Sequence, residues 1–351
     1  MKFITLLLFA FCLTSPVFAD TLEDAEKAYK SGDYEKAYKI HFEGANKGNV
    51  RHQYYLGMTY SSKGAGVPQD YKEAVKWFTQ AASKGDVQSQ VRLGRMYEKG
   101  TGVSQDFKEA IRWYRLAAEN RDVESLIKLG IWYSNGINVE QDEKEADNLF
   151  QSVVLQGKPK DLVGLGYKYE KGDEVPVNYN EAIKWYRLAA DKGDANAQSN
   201  LGRIYENGIG VTQNYKEAVN WYRLAAVQGE WGARISLGYL YDNGKGVPKN
   251  SKEALKWHLL AAYDENVEGP SMDMHRLNLA IRYTIEALKG KTKAAKEGYV
   301  QGYAWASVVA ANGNQDAVAQ METAEKEMSR AQVEKAQKLA KEIWAKTHKS
   351  K

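Results

Sequence analysis

The chain has 351 residues and a formal net charge of +4, with 43% hydrophobic and 11% aromatic residues. Its 30 glycines and 6 prolines fit many helices punctuated by glycine turns and exclude a disordered chain. The balance of 49 basic against 45 acidic residues excludes the strongly basic footprint of a nucleic-acid binder.

Residues 1–19 read as a secretory signal. Lys2 supplies the positive start, Phe3 to Leu13 the apolar run, and Val17-Phe18-Ala19 the small-residue cleavage pattern. That run falls short of the roughly 20 residues a helix needs to span a bilayer. The expected product begins near Asp20 and is periplasmic or secreted. Cys12 is the only cysteine and lies inside the signal, where the bulky Phe11 before it argues against lipid attachment. Cleavage leaves no thiol, which excludes disulfides, thiol catalysis and cysteine-bound metal.

From residue 50 onward one pattern recurs. The pair Leu-Gly stands at Leu56-Gly57, Leu93-Gly94, Leu129-Gly130, Leu165-Gly166, Leu201-Gly202 and Leu237-Gly238, spaced by 37 and then by 36 residues. Tyr60, Tyr97, Tyr133, Tyr169, Tyr205 and Tyr241 follow at a constant offset. Such a period predicts a repeat array, each unit two antiparallel helices. In the first helix Ala197, Leu201, Gly202 and Tyr205 share one face. A Gly-x-Gly-Val turn ends it at 64–67, 100–103, 208–211 and 244–247, because glycine adopts positive φ cheaply. Asn138 and Glu174 replace the second glycine in the third and fourth units. Asparagine tolerates that conformation; glutamate is harder to explain there.

The second helix opens on a capping-box pattern in every unit: Asp70 with Glu73, Asp106 with Glu109, Asp142 with Glu145, Asn178 with Glu181, Asn214 with Glu217 and Asn250 with Glu253. The short side chain is expected to accept from a free helical N–H while the glutamate reaches back to the cap residue. An apolar stripe such as Ala218, Trp221, Ala225 and Ala226 follows. The glycine beside each leucine, and the paired alanines, let helices approach closely. Trp77, Trp113, Trp185, Trp221 and Trp257 are expected to fill the space between layers, where truncation to alanine costs roughly 3–5 kcal/mol. The third unit departs with Leu149, Val153 and Val154 in place of Trp, Ala and Ala.

These units resemble Sel-one-like repeats (SLR), relatives of the tetratricopeptide repeat with a period lengthened by the Gly-x-Gly turn. The resemblance implies an all-α fold, a right-handed alpha/alpha solenoid of about seven to eight helix pairs with a C-terminal capping helix. Residues 20–49, carrying Gly32-Asp33-Tyr34 and Ala37, look like an N-terminal helix pair. Six repeats span 50–86, 87–122, 123–158, 159–194, 195–230 and 231–265. A degenerate seventh covers 266–313, with Trp305 in the tryptophan position and Asn312-Gly313-Asn314 at its close. The period breaks from Glu265 to Lys296, which reads as a longer helix pair or a local bend. Residues 314–351 form capping helices and a basic tail, the segment from Met328 to Trp344 being similar to the closing helix of bacterial members.

No fragment assembles a catalytic site. Ser125 and Lys128 form a Ser-x-x-Lys pair without the companion motifs of penicillin-recognising enzymes. Gly290-Lys291-Thr292 resembles the end of a phosphate loop, but Ile285 occupies the place of its first glycine. The histidines His41, His52, His258, His275 and His348 never pair at ligand spacing. Neither a cofactor nor a metal is expected.

In tetratricopeptide relatives the first helices line a concave groove, so residues at one offset would form a ladder along it. Here that offset reads Met58, Arg95, Ile131, Tyr167, Arg203 and Tyr239, with Tyr55, Arg92 and Asn200 before the leucine. Tyr, Arg and Met are enriched at interfaces and their hot spots. Arg115, Arg187 and Arg223 on the second helix read as a solvated convex face. The resemblance implies a non-catalytic scaffold, adaptor or regulator of the bacterial envelope that binds a protein or peptide. Capped ends favour a monomer without a membrane span. The alternative is a periplasmic immunity protein that neutralises a toxin enzyme. Weak β-lactam binding or hydrolysis, proposed for some cysteine-rich relatives, ranks below both because this chain lacks their cysteine pairs.

Overall fold

Helix length in this chain is set by how each repeat caps its turns. The computed structural model describes residues 21–264, 267, 269–290 and 293–348. The signal reading for 1–19, with Cys12, and Lys291-Thr292 of the phosphate-loop fragment lie outside the described residues. Those residues are all-α, with eighteen helices. The chain divides after Gly157 into two compact units.

In the first unit α1 (Leu22–Lys30) pairs with α2 (Tyr34–Asn46), α3 (Val50–Ser61) with α4 (Tyr71–Ser83), α5 (Val87–Lys99) with α6 (Phe107–Glu119), and α7 (Val123–Asn135) with α8 (Glu143–Gln156). In the second, α9 (Pro159–Lys171) pairs with α10 (Tyr179–Asp191), α11 (Ala195–Asn207) with α12 (Tyr215–Val227), and α13 (Trp231–Asn243) with α14 (Ser251–Ala262). Then come α15 (Pro270–Lys289), α16 (Lys293–Ala310), α17 (Gln315–Glu325) and α18 (Arg330–Thr347). Within each unit, successive helices up to α14 pack in chain order, the stacked helix pairs of a solenoid; beyond them α16 packs against α15, α17 and α18 alike.

The six cap residues accept from first-turn N–H groups of their helices. None of the six closes the expected reciprocal box, and five of the glutamates form ion pairs instead. Glu73, Glu109, Glu181 and Glu253 pair with Lys76, Arg112, Lys184 and Lys256 three residues ahead, and Glu145 pairs with Arg115 of α6. The reason is tertiary. Each cap residue's own N–H already donates to the tyrosine carbonyl of the first helix, from Asp70 to Tyr60 through to Asn250 to Tyr241, at 2.8–2.9 Å. No donor is left at the cap for the glutamate to satisfy.

Gly100, Gly136, Gly172, Gly208 and Gly244 end first helices in the left-handed conformation. The second turn position keeps that conformation even where glycine is missing, at Asn138 (φ 60°) and Glu174 (φ 64°). Gly246 shows what glycine otherwise provides. Its φ is +71°, and an added Cβ would lie 2.3 Å from the Tyr215 carbonyl oxygen at the start of α12.

The repeated leucines are fully buried. Beside each, the glycine is covered by a ring from the second helix. Phe78, Tyr114, Phe150, Tyr186, Tyr222 and His258 lie where a Cβ on Gly57, Gly94, Gly130, Gly166, Gly202 or Gly238 would approach within 2.6–2.8 Å. Trp113, Trp185 and Trp257 are buried, whereas Trp77 and Trp221 are only half-buried. Three of the five tryptophans thus pack in the core as expected, while the ring over each glycine is supplied by the residue after the tryptophan position.

Beyond the sixth repeat, α15 runs for 20 residues. Its buried Arg276 donates Nε–H to the Ala262 carbonyl at 3.0 Å, joining it to the end of α14. Trp305 of α16 is fully buried, and Ile343 of α18 belongs to the same apolar cluster.

Candidate partner-binding site

The first helices are held by a polar network that repeats with the chain. Tyr114 donates its hydroxyl to Glu98 at 2.7 Å, Tyr186 to Glu170 at 3.1 Å and Tyr222 to Glu206 at 2.7 Å, while His258 Nε2 lies 3.2 Å from Asp242. Where the ring is Phe78 or Phe150, which can donate nothing, the matching position holds Ser61 or Ser134. Burial, helped by the neighbouring carboxylate, pushes the Tyr114, Tyr186 and Tyr222 hydroxyls well above their ordinary pKa. At Glu170 burial works to raise the carboxyl pKa, but Lys171, Arg203 and Tyr186 outweigh it and hold the group below its usual range.

A second stitch joins four of the six repeats to the helix before them. Gln53, Gln90 and Gln198 donate to the Ala45, Ala82 and Ala190 carbonyls at 3.2–3.3 Å, and Arg234 takes the same role toward Ala226 at 3.1 Å. Neither network was read from the sequence. The signal was available as a residue choice that changes in step sixteen positions apart inside the repeats, seventeen in the first.

The expected ladder fares unevenly. In the first unit Met58 and Arg92 are half-buried on α3 and α5. Arg95 is ion-paired to Glu124 of α7. Ile131 is only 1% exposed and leaves the ladder. It has no polar tip to carry to water, so where arginine or tyrosine stays out this side chain packs inward. In the second unit Arg203 pairs with Glu170 at 2.6 Å. Tyr167 and Tyr239 remain 54% and 49% exposed on α9 and α13. Lys171 and Lys245 lie over their rings at 5.7 and 5.4 Å.

The second-helix arginines are corrected as well. Arg115, Arg187 and Arg223 donate to the hydroxyls of Tyr133, Tyr205 and Tyr241 in the following first helix. They are stitches between repeats, not merely a solvated face.

Ser125 is fully buried, and Lys128 is paired with Glu98 at 3.0 Å, so neither is presented to a substrate as a nucleophile and its base. No group of three or more His, Cys, Asp or Glu side chains that could hold a metal ion occurs among the described residues. No helix there is long and apolar enough to cross a membrane. A cavity of about 450 Å³ lies between α1, α2 and α3, with Met58 in its wall.

A Sel1 repeat family model matches residues 53–86, 87–122, 123–152, 160–194, 195–230 and 232–266. Among solved structures, a Sel1 repeat protein from Oxalobacter formigenes is 34% identical, covering 69% of this chain and 98% of its own, with a TM-score of 0.45. The antigen c5321, a protective antigen of uropathogenic Escherichia coli displaying an SLR fold, is 26% identical over 94% of this chain and 97% of its own, at a TM-score of 0.40. Immunity protein Pa5087 from Pseudomonas aeruginosa is 18% identical over 60% and 80%, at a TM-score of 0.32. No curated protein matches the chain.

Proposed function

The chain belongs to the Sel1 repeat family, and from that premise we propose that it is a non-catalytic binding scaffold or regulator of the bacterial envelope. It is exported by the signal at 1–19, cleaved near Ala19, and grips a protein or peptide along the first helices of its repeats.

One observation carries this reading. Tyr167 and Tyr239 occupy equivalent positions on α9 and α13 and leave about half of each ring in water. Tyr133, Tyr169, Tyr186, Tyr205 and Tyr241 are by contrast taken up by packing or by hydrogen bonds, and the other exposed tyrosines of the repeats, Tyr55, Tyr71 and Tyr179, show less of their surface, 39–40%. Two large aromatic side chains left half in water at a repeated position, each with a lysine over its ring, are the type that dominates binding energy at interfaces.

The test is crosslinking in the native envelope, comparing wild type with the Tyr167→Ala/Tyr239→Ala double variant. Both substitutions remove exposed rings, so the fold is expected to survive, as circular dichroism would check. A partner captured by wild type and lost by the folded variant supports the reading; capture that is equal in both overturns the assignment of this row. If the partner is an enzyme bound one-to-one and silenced, the protein acts as an immunity factor. Mass spectrometry of the envelope fraction tests export, the expected N-terminus being Asp20.

A further inference from the structure

The cavity at the start of the first unit is independent of the Tyr167 and Tyr239 row. Its size, about 450 Å³, falls within the roughly 300–1,000 Å³ of pockets that enclose small ligands. Three helices build its walls. Tyr29 comes from α1, Tyr34 and Tyr38 from α2, and Tyr54, Tyr55 and Met58 from α3.

The rings are set in pairs that present both faces and edges. Tyr29 and Tyr34 meet edge to face with centroids 5.0 Å apart, and Tyr55 stacks on His41, also at 5.0 Å. Tyr38 is turned inward by its hydroxyl bond to Tyr60, at 3.0 Å. Tyr29 and Tyr55 stay 56% and 40% exposed, although folding normally buries rings of this size. A further aromatic ring would find edge-to-face and stacked partners here.

Charge decides what accompanies that ring. Two charged side chains border the cavity, Glu26 and Arg51. Glu26 is already neutralised by Lys30 at 2.6 Å. The Arg51 guanidinium forms no ion pair among the described residues. The uncompensated charge at the mouth is therefore positive. An aromatic cage for a cation needs the opposite balance, so the same tyrosines favour an anion-bearing aromatic group.

We propose that this cavity receives an aromatic side chain of a partner polypeptide whose adjacent carboxylate pairs with Arg51. Guanidinium matches carboxylate in a planar, two-pronged geometry, and the rings supply apolar contact around the inserted side chain. Because Arg51 is exposed, its share is specificity more than affinity.

The test uses fluorescein-labelled peptides with the sequence Gly-Asp-Trp-Gly, capped at both ends, and the same peptide with Asn or Lys in place of Asp. Binding is read by anisotropy at low salt. The Asp peptide should bind about two- to fivefold more tightly than the Asn peptide, as an exposed ion pair allows, and the Lys peptide should bind worst. Arg51→Gln should abolish the difference between Asp and Asn, and Arg51→Lys should retain part of it. Tyr29→Ala and Met58→Ala should weaken all three peptides. The Tyr167→Ala/Tyr239→Ala variant should leave every affinity unchanged, which separates this site from the row on α9 and α13. Absence of binding up to millimolar peptide, preference for the Lys peptide, or affinities indifferent to Tyr29→Ala would each overturn the proposal. An unchanged melting temperature in Arg51→Gln guards against reading misfolding as lost recognition.

Discussion

Gly164 and Gly166 stand two residues apart on α9, and their surroundings differ completely. A Cβ on Gly164 would meet nothing within 4 Å, whereas one on Gly166 would lie 2.8 Å from two carbons of the Tyr186 ring. Alanine lowers the backbone entropy of the unfolded chain and suits a helix interior better than glycine, so Gly164→Ala should stabilise by about 0.5–1 kcal/mol. Gly166→Ala gains the same backbone term but forces a buried ring, itself bonded to Glu170 at 3.1 Å, to move. Overpacking of that kind costs roughly 1–3 kcal/mol, so the net effect is destabilising. Urea unfolding of the two variants measures both; a shift in the same direction for each would refute the ring contact as the reason for the repeated glycine. That reason was only half legible in the sequence. The repeated Leu-Gly pair announces a close approach, but which atoms approach depends on a ring twenty residues onward in the partner helix.

At the scale of the element, the helices and their caps could be read directly because their signals are local. Asp70 or Asn214 needs only the N–H groups two and three residues ahead of it, bonds of 2.9–3.2 Å in the structure. The direction of the accompanying glutamates could not be read, since it follows from a backbone bond to another helix. The candidate site failed for the same reason. Arg95 and Arg203 look available in sequence, yet each is engaged by a carboxylate of an adjoining repeat, Glu124 and Glu170. Ile131 shares their offset but not their polarity and is buried. The turn of the fourth repeat offers a test at this scale. Glu174 holds φ at 64°, where a side chain with a Cβ is strained by about 1–2 kcal/mol. One compensation is a contact with Lys168 at 2.7 Å between partly exposed groups, worth about 0–1 kcal/mol. Glycine fills the same place in four other units. Glu174→Gly should therefore raise stability, by up to about 1 kcal/mol once glycine's greater unfolded-state entropy is set against the relief of strain. A lower melting temperature in the variant would show that the Lys168 contact outweighs the backbone.

Across the molecule, both compact units contain a histidine in the slot that elsewhere holds the ring over the Leu-Gly glycine or its counterpart. His41 lies in the first unit and His258 in the second, each spaced from Phe78 or Tyr222 by one repeat. His41 Nδ1 is 3.2 Å from His52 Nδ1, a contact in which one nitrogen donates to the other and which a second proton would disrupt. His258 faces His275 across a ring separation of 5.4 Å, with Asp242 and Arg282 also at hand. Burial, joined by the neighbouring histidine, lowers both His41 and His258 to about 4, and the attraction of Asp242 does not reverse this at His258. The unfolded chain, with histidines near 6.5, therefore binds more protons than the folded one between those values, and stability must rise with pH across that window. Stability is fully present above about 6.5 and is lost as pH falls toward 4, at up to about 1.4 kcal/mol per pH unit for each histidine. Glu170, with its lowered carboxyl, adds to the loss only at more acid pH. Phenylalanine already fills the slot in the first and third repeats, so His41→Phe and His258→Phe should fold. Melting temperatures between pH 7 and pH 4.5 should fall steeply in wild type and more gently in each variant, most gently in the double variant. Identical slopes in all four proteins would mean that the buried histidine pairs do not set the acid limit of the fold.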